Sequence, residues 1–329
     1  MEKDFENENP PNLSIIQRIR AYKLGLTRKH YRAYNINSGS NPDLYLSEFD
    51  KNAYTKSINP NPDLLNNKKR FYEYMKRKGF ENYLPKLLGT IKQGEFQGQK
   101  DFKDILDKRE KIVLKSYYGG GSKRVYICEK KHDKININGK YEYKDIDKFL
   151  DDNRNYIVTE FCSQADFLKN FYPQSINTIR IWTIKYRGNK YFFPFAILRM
   201  GTKKSGFFDN VSQGGLTSLI DIDTGKLSSA AQIHPNGMVD WYDIHPVTNT
   251  VIKDFKIPDW ENFKEKFKDI VYECSELKYV GWDIVFTPQN GFLIIEGNNH
   301  PGLKSIQVHK PILKDEKVKN FYKNHGIPV

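Results

Sequence analysis

The sequence predicts an α+β protein with mostly antiparallel strands, and three observations carry that prediction. Helical periodicity marks a few separate segments, most clearly residues 259–277, where Phe263, Phe267, Ile270, Val271 and Cys274 share one face. The rest of the chain is dominated by short β-branched and aromatic runs. Arg-Gly-Asn and Asp-Thr-Gly sequences join successive runs, and such turns make hairpins.

Taken in order, residues 1–12 read as a loose polar tail, and SIIQRIRAYKLGL (14–26) has helical spacing and good helix formers. Loops rich in Asn, Pro and Ser follow at 35–43 and 57–63. Residues 61–80 are expected to form one helix, capped by Asp63, with Leu64, Phe71, Tyr74 and Met75 at helical spacing and Gly79 ending it. Strands are expected at 111–116 and 123–128 around a glycine turn, and at 155–161. Two hairpins follow, pairing 177–186 with 190–200 and folding 216–233 about Asp-Thr-Gly. A last hairpin, GWDIVFTPQNGFLIIEGNNHPG, spans 281–302. The chain has no internal repeat.

Composition narrows the class. With 329 residues, 38% of them apolar, the chain can bury a substantial core in one large domain or a few packed subdomains. No apolar run is long enough to span a membrane, and MEKDFENENPPN is not a secretory leader. Three widely spaced cysteines, Cys128, Cys162 and Cys274, form neither a metal pattern nor a disulfide framework and suit a reducing cytoplasm. The net charge of +13 is spread along the chain, a pattern that suits Lys- and Asn-rich codon usage more than a designed patch; attraction to an anionic substrate is the competing reading, and no specific nucleic-acid interface is expected.

Several stretches carry chemistry. In the last hairpin, Glu296 and Asn298 are two apart and share a strand face, and pairing through the turn can bring Asp283 towards them. Three hard oxygen donors of this kind suit Mg²⁺, whose charge would relieve repulsion between the two carboxylates. In VLKSYYGGGSKRV, Lys115 can neutralise phosphate, and Gly119, Gly120 and Gly121 let backbone amides approach it. The lysine precedes the glycines, so this is not the Walker pattern. The strand YIVTEF can offer backbone groups to an adenine and the Glu160 carboxylate to ribose hydroxyls, although read alone it is first a plain core strand. Asn177 and Arg180 open one strand and Arg199 ends another, and guanidinium forks suit phosphate and carboxylate oxygens. DNVSQGG (209–215) is richer in hydrogen-bonding groups than an ordinary turn.

Together and in this order, these stretches resemble the ATP-grasp superfamily, and most closely its sugar-transfer-associated branch. The resemblance covers roughly residues 64 to 310. It implies an ATP-grasp fold, with two α+β subdomains holding ATP between them after an N-terminal helical extension. The boundaries expected on that basis are 1–63 for the tail and extension, 64–110 for a helical linker, 111–163 for the lid with its glycine-rich hairpin, and 164–329 for the C-terminal subdomain. It implies that Lys115 and Gly119 to Gly121 contact the nucleotide phosphates, that Thr159, Glu160, Phe161 and Cys162 surround adenine and ribose, and that Asp283, Glu296 and Asn298 hold Mg²⁺. Arg180 and Arg199 are then expected to stabilise the transferring phosphoryl group, and Asn177, Asp209, Asn210 and His300 to position substrate. The implied reaction is ATP-dependent carboxylate–amine ligation through an acyl phosphate, joining an amino acid or other amine to a carboxylated sugar in cell-surface polysaccharide or capsule biosynthesis. An ATP-grasp kinase acting on a hydroxyl is the alternative within nucleotide chemistry. A non-catalytic polyanion-binding protein is the alternative outside it.

Overall fold

The structure, a computed structural model, describes residues 12–329 apart from 110, 121–123, 132–133, 140, 144, 187, 189 and 289–290. The chain divides into two units. The smaller comprises Asp63–Ser163 with Leu293–Glu296, and the larger comprises the chain up to Pro62, Gln164–Phe292 and Gly297–Val329.

The smaller unit is built on a seven-stranded sheet. Its strands are β1 (Leu87–Lys92), β2 (Glu95–Gly98), β3 (Ile112–Ser116), β4 (Val125–Lys131), β5 (Lys134–Ile137), β6 (Tyr141–Tyr143) and β7 (Tyr156–Glu160), in the order β2-β1-β7-β3-β4-β5-β6. Every pairing in it is antiparallel. Alternation sends Ile112, Leu114, Tyr156 and Val158 into a core shared with Phe102, Ile105 and Phe149, which come from the helices Phe102–Lys108 and Ile146–Asp152. Directly paired residues share a face, so Lys115 and Ile157 lie together on the opposite side with Val113 and Thr159. The helix expected over 61–80 is broken into Asp63–Asn66 and Lys68–Arg77. Asn67 interrupts it by capping the second piece, its Oδ1 accepting from the Lys69 and Arg70 amides, so Asn67 rather than Asp63 is the cap that matters. Gly79, at φ +85°, follows the end of the second piece in the left-handed conformation that favours glycine.

The second sheet contains β8 (Thr178–Tyr186), β9 (Lys190–Phe192), β10 (Ala196–Met200), β11 (Leu216–Ile220), β12 (Leu227–Ile233), β13 (Val239–Tyr242) and β14 (Tyr279–Thr287) of the larger unit, with β15 (Gly291–Asn298), whose middle residues Leu293–Glu296 belong to the smaller unit. They run in the order β13-β12-β11-β10-β8-β14-β15, with β9 beside β8. The run expected as one strand over 190–200 is divided because Pro194 has no N–H to give the ladder. The helix Trp260–Glu273 buries Phe263, Phe267, Ile270 and Val271 as its periodicity demands, and Phe267 meets Trp282 of β14 edge to face at 5.7 Å. Trp182, Ile184, Tyr279, Ile306 and Phe321 form a second apolar cluster.

Buried amides tie the N-terminal extension into this unit. Gln307 donates to the Leu46 carbonyl at 3.0 Å and accepts from its amide at 2.8 Å, while Asn59 donates to the Tyr279 carbonyl at 2.7 Å. Both pairings satisfy backbone groups that would otherwise be buried without partners.

Candidate active site

In the larger unit, the register of β8 against β14 sets Arg180 directly opposite Asp283. The guanidinium grips the carboxylate bidentately, with Nε–Oδ1 and Nη2–Oδ2 distances of 2.6 Å. Arg199 on β10 adds a third bond to Asp283 Oδ2 at 3.0 Å. It also donates to the Thr178 hydroxyl, with its Nε 2.9 Å away, and lies 3.4 Å from Asp209. Asp209 in turn accepts from the amide of Thr178 at 3.0 Å and from its hydroxyl. The Asp283 and Asp209 side chains are only 4% and 9% exposed, so these charges act on one another with little solvent screening. Burial raises the Asp209 carboxyl above its usual range, with Arg199 opposing the shift.

This geometry changes the reading of Asp283. The positive charge that sequence reasoning assigned to a metal is supplied in this structure by Arg180 and Arg199. A carboxylate paired in this way is still a hard oxygen donor of the kind Mg²⁺ accepts. Asn298 fits the same chemistry, because its Nδ2 is anchored on the Gly281 carbonyl at 3.0 Å and its Oδ1 is the end left to ligate. Among the described residues, no group of three His, Cys, Asp or Glu side chains could by itself hold a metal ion. The oxygens expected for Mg²⁺ are divided between the units, with Asp283 and Asn298 in the larger and Glu296 in the smaller.

Three of the expected substrate contacts have other tasks here. Asn177 is fully buried, donating to the Leu168 and Tyr172 carbonyls at 2.8 Å and accepting from the Gly201 amide at 2.9 Å. It is a structural bracket between loop and strand. Asn177→Ala is expected to destabilise the protein by roughly 2–4 kcal/mol through these orphaned groups, with Mg-ATP affinity unchanged. Urea unfolding beside nucleotide titration checks both parts. Asn210 caps the short turn Val211–Gln213, accepting from the Ser212 amide at 3.2 Å. His300 bonds Thr55 Oγ1 at 2.5 Å through Nδ1 and lies 2.9 Å from Lys51 Nζ through Nε2. Burial lowers its pKa to about 4, with help from Lys51 and Lys56. It joins the chain after β15 to the helix Glu48–Tyr54.

In the smaller unit, Lys115 is buried on β3, with Nζ 3.4 Å from the Ile295 carbonyl. Thr159 lies on the same sheet face, and its hydroxyl oxygen is buried without a hydrogen-bond partner. An orphaned polar atom beside a lysine fits a nucleotide-binding face. Phe161 carries the Lys111 ammonium over its ring at 5.6 Å, and burial pushes the Cys162 thiol up against the opposing effect of Lys115. Strand alternation turns Glu160 to the other face, where Arg109 binds it at 2.5 Å. Glu160 thus ends β7 on the face opposite Lys115 and Thr159, while both it and Lys115 act on the Cys162 thiol. Gly119 adopts φ +120° and nothing crowds Gly120, whereas Gly121 lies outside the described residues.

Sequence reasoning missed Lys68. Its Nζ donates to the Gly119 carbonyl at 2.6 Å and lies 3.7 Å from Glu296. One signal was available: a lysine in the first turn of a helix opposes the macrodipole and needs another reason to be there.

A lysine-bearing sheet with a glycine loop in one unit and an acid–arginine cluster in the other have the organisation of the ATP-grasp class. The chain belongs to the sugar-transfer associated ATP-grasp family, whose model matches residues 49–321. The α+β ATP-grasp fold expected from the sequence is borne out. None of the curated proteins matches the sequence. Among solved structures, the chain is similar to N5-carboxyaminoimidazole synthetase from Staphylococcus aureus complexed with ADP (11% identity, TM-score 0.41, covering 77% of this chain and 52% of that one). It is also similar to the VanG D-Ala:D-Ser ligase from Enterococcus faecalis (11%, 0.44, 79% and 62%) and to biotin carboxylase from Campylobacter jejuni (11%, 0.45, 82% and 47%). The chain spans 47–62% of the length of these three proteins.

Proposed function

We propose that the protein is an ATP-dependent carboxylate–amine ligase. A substrate carboxylate oxygen attacks the γ-phosphorus of ATP, releasing ADP, and an amine then attacks the acyl phosphate, losing a proton and expelling phosphate. The observation that carries this reading is the buried Arg180–Asp283–Arg199 cluster. It presents guanidinium N–H groups already held in place, which is what stabilises charge developing on a transferred phosphoryl group without reorganisation. Arg180 spends Nε and Nη2 on Asp283, and its Nη1 takes no part in that bridge.

In this reading Lys115, the Gly119–Gly120 backbone and the unpartnered Thr159 hydroxyl bind the nucleotide. Lys68 steadies the glycine loop through the Gly119 carbonyl. Asp283, Glu296 and Asn298 are the oxygens that would hold Mg²⁺, which supplies charge neutralisation at the phosphates when bound. Asp209 keeps Arg199 oriented rather than touching substrate itself.

The family's description and the net charge of +13 support a carboxylated sugar as acceptor, within cell-surface polysaccharide biosynthesis. Dependence on ATP supports a cytoplasmic location, and among the described residues no helix is long and apolar enough to cross a membrane. Product analysis with Mg-ATP, pooled amino acids and pooled uronic acids tests the reading. ADP and phosphate released only with both pools is the expected result. ADP with a phosphorylated sugar and no amine requirement would make the protein a kinase. No turnover and no stabilisation by ATP would leave polyanion binding.

A further inference from the structure

A groove of about 570 Å³ lies in the larger unit, lined by Arg32, Asn35, Tyr45, Met238, Trp241 and His309 among others. Its volume falls within the ~300–1,000 Å³ of ordinary ligand sites. One wall is built by the β12–β13 turn, where Gly237 (φ +81°) presses against the Lys29 carbonyl so closely that a Cβ would stand 2.6 Å from it. The opposite wall is the chain after the helix Arg28–Ala33.

Three features of this groove need a ligand to explain them. Trp241 is 51% exposed on the edge strand β13 and Met238 is 45% exposed, whereas Trp182, Trp260 and Trp282 are buried. An indole left open at a sheet edge is a flat apolar platform with a polar edge. The Nε2 atom of His309 is buried without a hydrogen-bond partner, and its ring stands edge-on to Trp241 at 5.3 Å. Burial holds this imidazole neutral, with its pKa lowered to about 4 against a hydrogen bond to the Thr217 backbone. A neutral ring nitrogen is either a donor or an acceptor according to tautomer. A hydroxyl satisfies both. Arg32 supplies a guanidinium with no ion pair among the described residues.

A platform for the apolar face of a sugar ring, a nitrogen that a hydroxyl can satisfy and a cation with no ion pair among the described residues converge on one chemistry. We infer that this groove is an accessory binding site for an acidic carbohydrate chain, with a sugar ring stacked on Trp241, a hydroxyl on His309 and a carboxylate on Arg32. Pairing across the sheet runs Arg199–Thr217–Ala231–Trp241, all on one face. At ~4.8 Å per strand, Trp241 is roughly 14 Å from Arg199, and Thr217 and Ala231 between them are buried. The groove is therefore distinct from the arginine cluster while being fixed to the same sheet. The inference goes beyond the ligase reading and does not depend on it.

Because Trp241 is the exposed one of the four tryptophans, acrylamide quenching of tryptophan fluorescence reports on it directly. Trigalacturonate is expected to shield it saturably at 0.15 M salt, and maltotriose at least about tenfold more weakly, a difference of about 1.4 kcal/mol. Arg32→Gln should erase that difference. By calorimetry, Trp241→Ala should abolish trigalacturonate binding and Trp241→Phe should retain it, with Mg-ATP still stabilising both variants. Absence of shielding by either sugar, equal shielding by both, or unchanged binding in Trp241→Ala would overturn the assignment. A failure of the ligase reading would show instead as missing ATP turnover with trigalacturonate binding intact.

Discussion

Asp283→Asn is expected to reduce ADP formation by at least about a hundredfold, the scale seen when one preorganised charge-stabilising group is lost. The same change should destabilise the fold by roughly 3–5 kcal/mol, because it leaves two guanidinium groups buried without their shared carboxylate. Asp283 accepts from Arg180 twice and from Arg199 once, so no single rotation of an amide can replace it. Nor can an amide nitrogen accept from Arg180. Pairing Asp283→Asn with Arg180→Gln should recover part of the lost stability, since the second change removes an uncompensated charge. Urea unfolding of the four proteins in the cycle, with ADP release measured in parallel, reads both effects. Wild-type turnover in Asp283→Asn would remove the cluster from the mechanism, and strict additivity would show that the two residues act independently.

Acidification is expected to weaken the protein steeply between pH 6.5 and 4. Burial lowers the pKa values of His30, His300 and His309 to about 4, and that of His245 is lowered as well. In the unfolded chain these imidazoles take up protons near pH 6.5, whereas the folded ones resist until about pH 4. The unfolded state therefore binds more protons throughout that window, and stability falls as pH falls. Above pH 6.5 their contribution is fully present. At about 1.4 kcal/mol per pH unit, protonation at His309 or His30 costs the fold up to roughly 3 kcal/mol at the acid end, and at the partly exposed His300 it costs less because solvent screens it. Asp209 works the other way. Its raised pKa makes a contribution that is present in acid and lost as pH rises through the folded value. One carboxyl does not offset four imidazoles. Urea midpoints at pH 7.5, 6, 5 and 4.5 should decline monotonically, and His309→Gln should flatten the curve. A level profile across that range would mean that the histidines are not held neutral by the fold.

The residues behind these two predictions were legible in the sequence to very different degrees. Arg180 and Arg199 stood out because guanidinium forks suit phosphate and carboxylate oxygens, and Asp283 because it shares a hairpin with Glu296 and Asn298. Their mutual pairing did not, since Arg180 and Asp283 are 103 positions apart and meet only through the β8–β14 register. His309 drew no attention at all. An isolated histidine in a helix-to-turn segment has no local pattern, and its buried, unpartnered Nε2 belongs to a groove that residues distant in sequence, Trp241 and Arg32, also line. Lys68 was overlooked because a lysine in a lysine-rich helix looks like surface, and its ties to Gly119 and Glu296 cross from one element to another.

By itself the sequence determined the elements and the class. Period-two and period-3.6 patterning, Asp-Thr-Gly and glycine turns, and the order of the lysine, glycine, arginine and acid stretches are properties of neighbouring residues. Neighbours keep them whatever the rest of the chain does. Only the tertiary structure decided how those residues were used. It gave Asp283 to two arginines, turned Glu160 away from Lys115, and assigned Asn177 and His300 to holding loops in place. Strand register and burial are set by packing over long sequence separations, and a one-residue shift in register would turn Arg180, Asp283 and Glu160 to the opposite faces of their sheets.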